Sequence, residues 1–216
     1  MMRWYRWMKK PVLLIVFGLG ITTSGYALYR VETSNFHTVS PGTVYRSGQM
    51  DEAQWMAYIE KHGVKSLLNL RGEHRASSWY QEEVRAADTL GVTHYDVKIS
   101  ANREVDNGTL DTILSIMRQA PKPLLIHCQA GADRSGLIAA VYLFTIAGQR
   151  AEEASRQLSL LYGHFPYLLS KTGAMDRSFW RYVDSATPHT RMDRLRHFTP
   201  VADQEQYRHR DELRHD

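Results

Sequence analysis

The stretch LLIHCQAGADRSGLIAA, Leu124 to Ala140, holds the only cysteine in the chain, Cys128. A lone cysteine after an apolar run is usually a small, inert core residue. Here it is followed by Gln129, by the small residues Ala130, Gly131 and Ala132, and then by Asp133, Arg134 and Ser135. Small residues let a backbone curl until its N–H groups converge on an anion. Arg134 brings a planar guanidinium that can hold two oxygens of a phosphate. A helix expected from Ser135 would add unpaired N–H groups and its positive dipole end. The same surroundings favour a thiolate, since cysteines so placed have pKa values of roughly 3.5–7.5. Phosphate binding and an activated sulfur nucleophile therefore coincide in one short loop.

Such a loop needs a strand to deliver the cysteine and a helix to receive the arginine. LLIHC, Leu124 to Cys128, is a short apolar run bounded by Pro121 and Pro123, which reads as a buried strand. Upstream, VKSLLNL (Val64 to Leu70) and VTHYDVKI (Val92 to Ile99) read as strands. Helices are expected at Asp51–His62 with Asp51 as cap, from Ser77 or Ser78 to Leu90, and at Thr109–Gln119. Further helices are expected at Ser135–Ala147, Ala151–Tyr162 and Gly173–Ser185. Alternating strands and helices imply an α/β fold: a mostly parallel central sheet with helices on both faces. Ligands bind at the carboxyl ends of the strands in such sheets, which is where Cys128 falls.

HCQAGADRSG resembles the signature loop of the cysteine-dependent protein tyrosine phosphatases, including the dual-specificity branch. The fixed positions of that loop are His127, Cys128, Gly131, Arg134, Ser135 and Gly136. VYRSGQ (Val44 to Gln49) and LLNLRGE (Leu67 to Glu73) resemble upstream segments of bacterial and fungal members. The resemblance spans about Thr43 to Ser185. It implies that Cys128 attacks phosphorus to form a phosphocysteine. Backbone N–H groups from Gln129, Ala130, Gly131, Ala132 and Asp133 to Arg134 would bind the phosphate with the Arg134 side chain. Ser135 would ease departure of the sulfur, and His127 would orient the loop. Neither a metal nor a cofactor is implied.

The family draws its general acid from an aspartate on a loop upstream of the cysteine. Here that loop is SANREVDNG, and Asn102 or Arg103 stands where the aspartate is expected. Asp106 is the preferred candidate, although it could equally cap the helix from Thr109. Asp133 and Glu104 are the rivals, and Asp96 has plausible spacing but falls in a strand. Arg71, His74 and Arg75 follow a strand at its carboxyl end and could hold a second anion, or simply form a solvated loop. Arg46 is expected to pair with Glu73 or a backbone carbonyl.

With 216 residues, 43% of them hydrophobic, the chain suits one domain with a real core. A formal net charge of +4 suits a small anionic partner and lacks the clustered basic stripes of a nucleic-acid binder. The signature loop has no lysine and carries Asp133, which disfavours a polyanionic headgroup. A phosphotyrosine protein is the expected substrate. The alternatives are a phospholipid or lipid-headgroup phosphatase at the membrane surface, or a pseudophosphatase that only binds phosphate.

Residues 1–29 join a basic start (Arg3, Arg6, Lys9, Lys10) to an uncharged segment from Pro11 to Tyr29. An uncleaved signal-anchor is favoured over a cleavable signal peptide ending near Ala27. Either places the remainder across the membrane, on the periplasmic or extracytoplasmic side. Residues 30–43 are expected as a linker, 44–185 as the phosphatase domain and 186–216 as a polar, disordered tail. Oligomeric state is not legible.

Overall fold

In the computed structural model the described residues are 32–186, with scattered helical positions between 14 and 30. Two units are distinguished, Met1–Phe179 and Trp180–Asp216. The tail beyond residue 186, and most of the expected anchor, lie outside the described residues. Among the described residues no helix is long and apolar enough to cross a membrane.

The chain forms β1 (His37–Ser40), β2 (Val44–Ser47), α1 (Glu52–His62), β3 (Ser66–Asn69), α2 (Ser78–Thr89), β4 (Thr93–Asp96) and α3 (Asn107–Gln119). Then follow β5 (Leu124–His127), α4 (Asp133–Thr145), α5 (Ala151–Ala154), two 3-10 turns (Ser155–Gln157 and Leu160–Tyr162) and α6 (Gly173–Ala186). The sheet order is β1-β2-β5-β3-β4. Strand β1 is antiparallel to β2, and the other pairings are parallel. The expected α/β class and mostly parallel sheet are therefore present.

Register assigns the two faces. Tyr45, Leu125 and Leu67 lie in one row across β2, β5 and β3. They pack with Trp55 and Ile59 of α1 and Ala86 and Ala87 of α2. The next row, Arg46, Ile126 and Leu68, points to the opposite face, because strand side chains alternate. Helix α4 packs on that opposite side, against β5, β2 and α3. It is buried along most of its length, from Ser135 to Leu143.

Several boundaries differ from the sequence expectations. Asp51 caps α1 as expected, in a full capping box with Gln54. The stretch 30–43, expected as a linker, contributes β1 to the sheet. The helix expected over Ala151–Tyr162 stops after one turn. Beyond it the carbonyl and side chain of Gln157 are drawn to Arg46, and the chain continues as 3-10 turns.

Candidate active site

Central strand β5 ends at His127, so Cys128 sits at the carboxyl edge of the sheet, 2% exposed. The loop curls immediately into α4, which begins at Asp133, two residues earlier than expected. That returns Ser135 to Cys128, with Oγ 3.6 Å from Sγ. Among the described residues, no acceptor lies within hydrogen-bond reach of the amide N–H groups of Gln129, Ala130, Gly131, Ala132, Asp133 or Arg134. The Arg134 Nε is buried and likewise lacks a partner there, while its Nη1 donates to the Leu70 carbonyl at 3.4 Å. Buried donors left unpaired are costly. A tetrahedral oxyanion within the curl would satisfy them together.

The loop's shape is held through its carbonyls. Asn35 Nδ2 donates to the carbonyls of Ala130 and Gly131, each at 3.0 Å. Fully buried Arg46 donates to the carbonyls of Gly131 and Ala132 at 2.9 and 2.7 Å. The expectation that Arg46 would bind backbone carbonyls is met, and Gln157 fixes its other arm at 2.8 Å. Burial pulls the Arg46 guanidinium down to about 10, only partly offset by Cys128, Tyr162 and Asp133. The group is therefore still charged at neutral pH. Gly131 has φ +65, and a Cβ there would lie 2.5 Å from the Gly48 nitrogen. Only glycine fits that turn.

Beneath the loop lies a buried polar network. Ser47, His127, Asn69 and Asp96 share the last row of the sheet. Buried Glu83 of α2 binds His127 Nε2 at 2.8 Å, His94 Nε2 at 2.7 Å and Gln49 Nε2 at 3.0 Å. Burial raises the Glu83 carboxyl, but His127, His94 and Gln49 outweigh it and hold the group down at about 2. The Gln49 backbone then donates to the Gln129 carbonyl at 3.1 Å. Among the described residues the His127 ring itself hydrogen-bonds only to Glu83, so its link to the loop runs through Glu83 and Gln49. Glu83 and Gln49 were not foreseen.

The acid candidates fare differently. Asp106 is exposed and caps α3: Oδ1 accepts from the Thr109 N–H at 2.9 Å and Oδ2 from its hydroxyl at 2.7 Å. Those bonds lower its carboxyl below the usual range. Asp106 thus fills the capping role that the sequence offered as its alternative. Glu104 is in an exposed pair with Arg177 at 2.6 Å. Asp96 accepts from Asn69 and from the Tyr80 hydroxyl at 2.8 and 2.5 Å. Asp133 lies in the phosphate loop itself. Its Oδ1 accepts from Nδ1 of buried His164 at 2.7 Å, and His164 Nε2 donates to Asp176 at 2.8 Å. Among the described residues Asp133 Oδ2 has no partner. Burial opposes protonation of His164, but the two aspartates prevail and raise it to about 9. His164 was missed in the sequence, where nothing links it to a loop thirty-one positions earlier.

The three basic residues after β3 also separate. Arg75 pairs with Glu73. His74 lies against the Trp79 ring, 5.4 Å between centroids. Arg71 stacks over Trp79, its Cζ 3.4 Å from the ring centroid, and donates to Gln49 Oε1 at 2.8 Å.

A cysteine at a strand end, a curl of unpaired N–H groups and an arginine opening the next helix are the architecture of cysteine-based phosphatases. The profile described as "Tyrosine phosphatase family" matches residues 27–157. The chain belongs to that family. It is 28% identical over 165 residues to the dual specificity protein phosphatase TpbA of Pseudomonas aeruginosa, covering 68% of this chain and 70% of that protein. The crystal structure of P. aeruginosa TpbA matches with a TM-score of 0.51 at 23% identity, over 72% of this chain and 87% of that one. The core catalytic domain of the PP-IP phosphatase SIW14 from S. cerevisiae matches with a TM-score of 0.55 at 23% identity, over 77% and 94%. At these identities the solved structures share the fold.

Proposed function

We propose that the chain hydrolyses phosphate monoesters, phosphotyrosine in proteins above all, through a phosphocysteine on Cys128. The run of loop N–H groups that follows Cys128, without partners among the described residues, together with the buried, unpaired Arg134 Nε, carries this. The sulfur attacks phosphorus as the ester oxygen leaves, and the P–S bond forms as the P–O bond breaks. The loop donors and Arg134 bind the equatorial oxygens most strongly in the transition state.

The departing oxygen takes a proton from Asp133. His164, held protonated against Oδ1, is the reserve of that proton, and Oδ2 is the oxygen that passes it on. Water then attacks phosphorus, giving its proton back to Asp133. The P–S bond breaks, and the Ser135 hydroxyl donates to the departing sulfur.

Phosphotyrosine is preferred to a lipid headgroup because the loop has no lysine and places Asp133 beside the phosphate. The domain is proposed to sit outside the cytoplasm behind an N-terminal anchor, on the strength of the basic start and uncharged segment. A panel of phosphotyrosine peptides, phosphoserine peptides and dispersed lipid phosphates tests the substrate. Phosphotyrosine peptides should give the highest kcat/KM. Faster turnover of the lipid phosphates would reverse the assignment.

A further inference from the structure

Arg71 follows Leu70, whose carbonyl holds Arg134 and whose amide donates to His127 at 2.9 Å. Two guanidinium groups are therefore brought to one rim of the loop. Arg71 does not drift away from this repulsion. The Trp79 ring supports one face at 3.4 Å, Gln49 accepts from Nη1 at 2.8 Å, and the Asn69 side chain fixes the Arg71 amide at 2.8 Å.

Gln49 also ties this arrangement to the loop through the Gln129 carbonyl. Among the described residues no carboxylate lies within ion-pair distance of Arg71, and its Nε and Nη2 donate to no atom. Burial and then Arg134 hold its guanidinium below its ordinary value. An arginine kept half-buried beside another cation, with Nε and Nη2 unfilled, is arranged for an anion that arrives from outside. Its neighbours make the contrast, since Arg75 and Arg85 are both paired with glutamates.

We propose that Arg71 is a second anion-binding group, taking a carboxylate or a further phosphoryl group carried by the substrate whose phosphate enters the Cys128 loop. This rests on the phosphatase reading above. In a peptide, the carboxylate is an Asp or Glu flanking the phosphotyrosine.

The test compares substrate pairs rather than single rates, so any loss of folded protein cancels. One pair is a phosphotyrosine peptide with acidic or with neutral flanking residues. The other is a small bisphosphate and its monophosphate counterpart. Wild type should favour the more anionic member of one pair by about tenfold in kcat/KM, the effect of one charge-assisted contact. Arg71→Ala should bring that ratio near one. Arg71→Lys, which keeps the charge but loses the planar fork, should recover part of it. Collapse of the peptide ratio assigns a carboxylate, and collapse of the bisphosphate ratio assigns a phosphoryl group.

The same ratios are read as binding to Cys128→Ser, with and without Arg71→Ala. Absence of turnover in wild type would then sink the phosphatase reading while the binding ratios still decide on Arg71. A ratio already near one in wild type, or one that Arg71→Ala leaves in place, would overturn the second site.

Discussion

The Glu83 carboxylate and the His127 imidazole, both without solvent exposure, meet at 2.8 Å immediately before the nucleophilic position. Glu83 also holds His94 and Gln49, so one carboxylate of α2 ties β4 and the end of β5 to the segment under the loop. Leaving buried hydrogen-bond partners unsatisfied costs about 1–3 kcal/mol. Glu83→Ala should lose that much in chemical denaturation, and a loss within error of zero would refute the bracing role. The sign with pH follows from the depressed carboxyl. Its contribution is present above the ordinary 4.5 and disappears as pH falls towards about 2. Glu83→Gln should therefore weaken the acid-induced loss of stability relative to wild type.

Gly131 tests the loop shape. With φ +65 and Cβ space filled by Ser47 and Gly48 backbone, Gly131→Ala must push the curl away from β2. Binding of inorganic phosphate, followed by calorimetry, should fall at least tenfold. Unaltered affinity would mean that the curl tolerates a side chain there.

The acid assignment separates two aspartates by two observables. Asp106→Ala should cost about 1 kcal/mol as a lost helix cap and leave turnover per folded molecule unaltered. Asp133→Asn should lower kcat for phenyl phosphate by about a hundredfold or more. The loss should be smaller for p-nitrophenyl phosphate, whose leaving group needs no proton. The reverse pattern would return the role to Asp106.

His164 gives the alkaline counterpart. It binds its proton more tightly in the folded protein, being raised from 6.5 to about 9 by Asp133 and Asp176 against the opposing effect of burial. The stability it contributes is complete below pH 6.5 and is lost as pH rises through about 9. Urea midpoints compared across that window should decline for wild type more than for His164→Gln. Parallel declines would show that His164 does not gain its proton on folding.

These residues also show what the sequence could reveal. The proximity of Cys128, Arg134 and Ser135 was legible because one continuous loop carries all three between a strand and a helix. Strands β3, β4 and β5 were legible as short runs of apolar and β-branched residues, whereas β1 and β2 were not read as strands. The supports were not. Glu83 sits in a helical pattern where a glutamate ordinarily faces water, and only the packing of α2 on the sheet turns it inward. Asn35 lay in an apparent linker yet binds loop carbonyls far along the chain, and Gln157 lay inside an apparent helix yet holds Arg46, which binds the loop. Asp106 was ambiguous for a local reason: an aspartate before a helix satisfies the cap pattern and the acid pattern alike.

The central claim is covalent catalysis at Cys128, and the most direct measurement is rapid acid quench of the protein during turnover of p-nitrophenyl phosphate, followed by peptide mass spectrometry. Phosphocysteine catalysis predicts one added phosphoryl group on the peptide containing Cys128, absent from Cys128→Ser, which should also show no turnover. Steady hydrolysis by Cys128→Ser, or turnover in wild type with no phosphoryl group on that peptide, would contradict it.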